Sequence, residues 1–150
     1  MTTVSEFMSM DHDRLGKIFE EFSNLKKDDI NRAKIFFSDF KTGLQQHIIW
    51  EEEILFPIFE RETGMSGVGP TAVMRMEHRQ IENFLEEIGE KILEGELKGI
   101  DKAEVGLLEV LGSHNQKEEN ILYPEIDNLT SEQEKEQVIT RMKGRPSESL

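Results

Sequence analysis

The chain has 150 residues, no cysteine and a formal charge of −13. That length suits one domain with a real core. The missing cysteines exclude disulfides, thiolate metal sites, iron–sulfur ligation and cysteine nucleophiles. The acidic balance argues against nucleic acid and anionic membrane surfaces as partners, because both are held by clustered Lys and Arg.

No basic-then-apolar leader opens the sequence and no run of eighteen apolar residues occurs, so a soluble, cytoplasmic protein is expected. The pattern is helical almost throughout, with no clean strand alternation. A first helix is expected over Val4 to Lys27, begun by the capping box Thr3-Val-Ser-Glu6. Its apolar stripe is Phe7/Met8, Leu15, Phe19 and Phe22, and His12 lies on it. A second runs from an Asp28/Asp29 cap to about Arg61, with Ala33, Phe37, Phe40, Leu44, His47, Glu51 and Leu55/Ile58 on one face. Pro57 should kink it or mark its last turns.

The glycine-rich segment from Gly64 to Gly69 is the clearest break, and Pro70 suits the first turn of a third helix reaching about Leu93. That helix should bury Met74, His78, Ile81, Leu85, Ile88 and Ile92. Residues 94–100, with Gly95 and Gly99, should end it, and Asp101-Lys-Ala-Glu104 offers a start for the fourth. The fourth stripe is Leu107/Leu108, Leu111, His114, Glu118 and Leu122. A short fifth helix is expected from Thr130-Ser-Glu-Gln-Glu134, and residues 144–150 read as a flexible tail. The fold class is thus all-α: an up-down-up-down four-helix bundle with a short C-terminal helix, occupying residues 1–143.

Two segments about 66 residues apart repeat one another. His47-Ile-Ile-Trp-Glu51-Glu52-Glu-Ile-Leu-Phe-Pro57 is echoed by His114-Asn-Gln-Lys-Glu118-Glu119-Asn-Ile-Leu-Tyr-Pro124. Upstream, Met10-Asp11-His12 is matched by Met76-Glu77-His78. The halves, about 4–62 and 69–129, should be related by a pseudo-two-fold axis, and the four segments hold all four histidines. Residues four apart on a helix differ by about 40° around its axis, so His47 points with Glu51 and His114 with Glu118. Both pairs face the core, where two carboxylates need compensation.

Four His and two Glu are too many donors for one tetrahedral zinc and hold too few oxygens for a calcium cage. They suit two ions, each with two His, bridged by Glu51 and Glu118, with positions left for water, hydroxide or a small ligand. A lone His on an apolar stripe is ordinarily a core residue; the duplicated set overrides that reading. The competing account is a duplicated bundle that lost its metals and kept a His–Glu hydrogen-bond network. Asp11 and Glu77 are candidates to brace the ligands or to serve as proton donors, and read equally well as helix-surface charge. Glu52 and Glu119 should face solvent or a neighbouring helix. Met8 and Met74 should wall the site as core packing, and Trp50 should pack away from it. The Ile-Leu-Phe-Pro57 and Ile-Leu-Tyr-Pro124 motifs read as structural, packing each helix end and letting it bend.

The set His12, His47-x-x-x-Glu51, His78 and His114-x-x-x-Glu118 resembles the hemerythrin-like (HHE cation-binding) family over about residues 4–129. The resemblance implies a non-haem di-iron centre with Glu51 and Glu118 as bridges, Zn or Mn being possible substitutes. Two departures stand out. Met74 occupies the place of the fifth histidine of oxygen-carrying hemerythrins, and Glu118 follows His114 by four residues where the carriers have an Asp at five. The chain therefore looks more like HHE proteins linked to oxygen, peroxide or nitric-oxide responses. The expected function is binding of O2, NO or peroxide for sensing, storage or detoxification. The alternatives are a di-iron enzyme or iron donor in oxidative or nitrosative stress, including iron–sulfur cluster repair, and a structural metal module.

Overall fold

The computed structural model describes residues 2–144. Helix α1 spans Val4–Leu25 and α2 spans Ile30–Trp50; α2 passes without a break through a π turn, Glu51–Leu55, into α3, Phe56–Thr63. After the 64–69 loop come α4, Pro70–Glu94, and α5, Leu97–Lys117. A second π turn, Glu118–Leu122, leads into α6, Tyr123–Leu129, and α7 covers Glu132–Gly144. The molecule is an all-α bundle of four long rods (α1, α2–α3, α4 and α5–α6) with a short C-terminal helix, and no strand occurs among the described residues. No described helix is long and apolar enough to cross a membrane.

The helix starts follow local chemistry. Thr3 caps α1 by accepting from the Glu6 N–H, as its capping box predicts, and Asp29 caps α2 through the Arg32 N–H. The Asp127 carboxylate of α6 adds a tertiary cap, accepting from the Val4 and Ser5 N–H groups at 2.8 and 3.0 Å. Gly64 and Gly95 end α3 and α4 at φ 74° and 69°, the left-handed region where a Cβ is costly.

Two expectations need correction. The fourth rod begins at Leu97, not near Asp101, so only Gly95 and Glu96 join α4 to α5. Asp101 instead pairs with Lys26 at 2.8 Å. Pro57 lies in the last two turns of its rod, as expected, and Pro57 and Pro124 each sit in the first turn of the helix that follows a π turn. Leu108, placed on the α5 stripe by periodicity, is 46% exposed, whereas Leu107 is fully buried. The flexible-tail expectation for 144–150 reaches only Gly144, the last residue of α7; the rest lies outside the described residues.

The core is divided into two apolar clusters. One holds Leu15, Phe19, Phe22, Phe37, Phe40, Leu44, Ile81, Leu85 and Leu107. The other holds Met8, Trp50, Leu55, Phe56, Met74, Leu122 and Tyr123, and α7 covers it with Val138, Ile139 and Met142. Met8 and Met74 are therefore core residues, as expected, and Trp50 packs on Phe7 with ring centroids 5.3 Å apart. Every histidine falls on its rod between a residue of one cluster and a residue of the other. His12 lies between Met8 and Leu15, and His78 between Met74 and Ile81. The polar layer is thus sealed above and below by hydrocarbon.

Candidate metal centre

The structure brings His12, His47, Glu51, His78, His114 and Glu118 together. His47, His78 and His114 are at most 2% exposed, and Glu51 and Glu118 are fully buried. Each carboxylate reaches both halves of the layer. Glu51 places Oε1 2.9 Å from His78 Nε2 and Oε2 3.6 Å from His47 Nε2. Glu118 places Oε1 3.2 Å from His12 Nε2 and Oε2 3.0 Å from His114 Nε2. The rings pair as His12 with His47 and His78 with His114, with centroids 4.6 and 4.8 Å apart. Two groups have donor atoms close enough to share an ion: Glu51, His78, His114 and Glu118, and His12, His47 and Glu118.

All four imidazoles turn Nε2 inward and Nδ1 outward, and every Nδ1 meets a carboxylate. Asp11 lies 2.8 Å from His47 Nδ1, Glu52 2.6 Å from His78, Glu77 2.8 Å from His114 and Glu119 2.6 Å from His12. Each helix that gives a histidine also gives a carboxylate to the next: α1 to α2, the α2 rod to α4, α4 to α5, and the α5 rod back to α1. An Nδ1–H donated outward fixes the tautomer and leaves the inner Nε2 lone pair free for a cation. Asp11 and Glu77 thus sit behind the imidazoles rather than at the centre. Glu52 and Glu119, expected toward solvent or a neighbouring helix, take the neighbouring-helix option and brace ligand histidines.

The π turns set a further residue over each buried glutamate. In each, the backbone closes over five residues: Phe56 N–H donates to Glu51 C=O and Tyr123 N–H to Glu118 C=O. Pro57 and Pro124 have no N–H to give to the carbonyl four residues back, which favours the wider turn. A residue five beyond the glutamate then stands over it, where a plain α-helix would rotate it about 140° away.

Tyr123 is the one residue of this layer that the sequence reading leaves out of the site. Its motif was read as structural packing, yet its hydroxyl lies at the centre of the layer. It donates to Glu51 Oε2 at 2.6 Å and lies 2.9 Å from Glu118 Oε1. It is also 3.2 Å from His47 Nε2 and 3.4 Å from His12 Nε2. The matching residue of the first copy is Phe56, whose ring stacks on His78 at 5.6 Å and 9°.

The electrostatics fit a cation. Burial disfavours charge on His47, yet Glu51, Asp11 and Glu118 outweigh it and push the ring up to about 10. His78 is likewise pushed up to about 9 against its burial, by Glu51 and Glu52. Burial opposes ionisation of Glu51 as well, but His47, Glu118 and His78 hold it well below the usual carboxylate range. Without a metal, protons on His47 and His78 supply positive charge that these carboxylates demand; a bound cation would replace them. Glu118 Oε2 is buried and accepts no hydrogen bond despite its closeness to His114, the kind of orphaned acceptor that a metal satisfies.

An apolar cavity of about 100 Å³ lies between α1, α2 and α5, lined by Leu15, Phe19, Phe40, Leu44 and Leu111, and it reaches His12. On the side of the second half a more open pocket of about 290 Å³ is lined by Ile48, Ile49, Glu52, Arg79 and Glu82, and there Arg79 pairs with Glu52 at 2.8 Å and Glu82 at 3.0 Å.

A helical bundle holding a buried, braced layer of imidazoles and carboxylates is a cation-binding domain. The chain belongs to the hemerythrin HHE cation-binding domain family, which matches it over residues 3–126. It is also similar to a protein of Nostoc sp. named DNA nickase, with 25% identity over 144 residues, which are 96% of this chain. The chain spans only 39% of that relative's length. No solved structure matches it.

Proposed function

We propose that His12, His47, Glu51, His78, His114 and Glu118 hold two iron ions, Glu51 and Glu118 bridging them, and that this centre binds O2, NO or peroxide. The observation that carries this reading is the pair of fully buried carboxylates, each with one oxygen toward either histidine pair. Imidazole nitrogen with carboxylate oxygen suits iron, with zinc or manganese as substitutes. Iron bound there would supply one-electron exchange between its ferrous and ferric states. The chain's own part is to fix the donors, exclude bulk water with the two apolar clusters, and admit a small ligand along the cavity that ends at His12.

In this reading the protein works in the cytoplasm as a sensor, store or scavenger. Binding is favoured over turnover because Asp11 and Glu77 are committed to the outer nitrogens of His47 and His114, leaving neither as a proton donor facing the ions. The nickase name attaches to a longer relative, and a charge of −13 opposes contact with phosphate backbones. The test is metal analysis of protein purified without added metal, followed by visible spectra of anaerobically reduced protein before and after O2, NO or peroxide. About two irons per chain and a ligand-dependent spectrum are expected. An iron-loaded protein whose spectrum none of the three changes would refute the binding function.

A further inference from the structure

We infer that Tyr123 is itself a metal ligand, giving a phenolate oxygen to the ion held by His12 and His47. The inference rests on the dinuclear reading above and adds a donor to it that makes the centre unsymmetrical.

The argument begins with proton counting. A phenol has one O–H and so can donate one hydrogen bond. The Tyr123 oxygen has four close polar neighbours: Glu51 Oε2, Glu118 Oε1, His47 Nε2 and His12 Nε2. Once a cation replaces the inner imidazole protons, both histidines keep Nδ1–H donated outward to Asp11 and Glu119 and present a lone pair at Nε2, as both carboxylate oxygens do. Five lone-pair atoms would then converge on a single proton. In a fully buried site that surplus of negative density calls for a cation at their centre.

The spacings agree. Donors at neighbouring corners of an octahedral ion, each about 2.1 Å from it, lie about 3.0 Å apart. Tyr123 Oη is 2.6, 2.9, 3.2 and 3.4 Å from the four atoms. Two of these atoms are themselves separated by 3.2 Å (His12 to Glu118) and two by 3.6 Å (His47 to Glu51). His12, His47 and Glu118 already lie close enough to share an ion, Tyr123 Oη is within 3.4 Å of all three, and Glu51 Oε2 borders the set 2.6 Å from that oxygen. On ligation the phenol O–H bond breaks, an oxygen–metal bond forms, and the proton leaves to solvent with no change in metal oxidation state.

The other half has no such donor. Phe56 stands at the matching place and stacks flat on His78, with the Arg75 guanidinium 5.3 Å above its ring. One ion would have five protein donors, and the other four: His78, His114, Glu51 and Glu118. The centre duplicated in sequence thus differs between its halves by one oxygen, and the less saturated ion lies on the His78 side.

Tyr123 is the only tyrosine in the chain, so a tyrosinate signature needs no assignment. Protein loaded anaerobically with ferrous iron and then oxidised in air should show a broad phenolate-to-iron band in the visible. Excitation into it should enhance tyrosine ring modes in the resonance Raman spectrum. Tyr123→Phe should keep two irons and lose both signals. Wild-type protein loaded with redox-silent zinc should show a tyrosinate difference band in the near ultraviolet, a readout that does not depend on the variant folding. Two bound irons without tyrosine modes, or a Phe variant with an unchanged visible band, would overturn the ligand assignment and leave the dinuclear site standing. Protein that takes up no metal would overturn both.

Discussion

Removing one outer carboxylate tests whether the histidine braces set metal affinity. Asp11 is the sharpest choice, because its Oδ2 lies 2.8 Å from Nδ1 of His47, a ring only 2% exposed. Without that acceptor the ring either keeps an unpaired Nδ1–H in a buried place or moves the proton to Nε2, where it blocks the metal. A bond between buried charged partners contributes about 1.5–3 kcal/mol. Loss of such a support typically weakens metal binding about 10- to 100-fold, or roughly 1.4–2.7 kcal/mol. Asp11→Ala should fall in that range. Asp11→Asn keeps an acceptor oxygen without the charge and should lie near its lower end. Arg14→Met removes the guanidinium 2.9 Å from Asp11 but leaves the His47 contact, and should change affinity less than about threefold. Affinity is read by competition with a chromophoric chelator, and helicity confirms that each variant is folded. Wild-type affinity in a folded Asp11→Ala protein would refute the bracing argument.

Metal loading should stabilise the fold: free metal at about 100 times Kd adds about 2.7 kcal/mol, or roughly 5–11 °C in a chain of this size, measured by calorimetry with and without chelator. Asp127→Ala removes the tertiary cap on α1 and should cost about 1–2 kcal/mol in denaturant unfolding, while Asp127→Asn should recover part of it. Lys26 is partly buried, which opposes its charge, but Asp101 and Glu104 hold its pKa above 10.5. Its pairing therefore stabilises the protein fully below the unfolded value and is lost as pH rises through the folded one. The melting difference between wild type and Lys26→Met should hold constant from about pH 7 to 9 and shrink above about 10.5.

The bundle was legible in the sequence because its stripes keep the helical period, and the histidines lie on those stripes. Each of the six metal-site candidates is brought to the same buried layer. The sequence reading failed where the backbone leaves that period. Tyr123 follows Glu118 by five residues, and on an α-helix that step points elsewhere; the π turn brings it back over Glu118. A proline six residues beyond each glutamate, in both copies, is the available signal, and by itself it reads equally as a kink or as the last turns of a helix. The early start of α5 was hidden because Gly99, read as a breaker, tolerates a helix: its bare Cα lets the Lys91 side chain lie against it.

The order of the outer carboxylates also bears on how the protein would let a metal go. Asp11, Glu52, Glu77 and Glu119 form a hoop with no free end, running through the four rods and back to the first. A rod that swings outward breaks two of its links, one that it gives and one that it receives. Fraying at a helix end breaks none, since the hoop lies at mid-height between the apolar clusters. Metal exchange should therefore keep time with opening of the whole bundle, and a chelator would act as a clock for global unfolding.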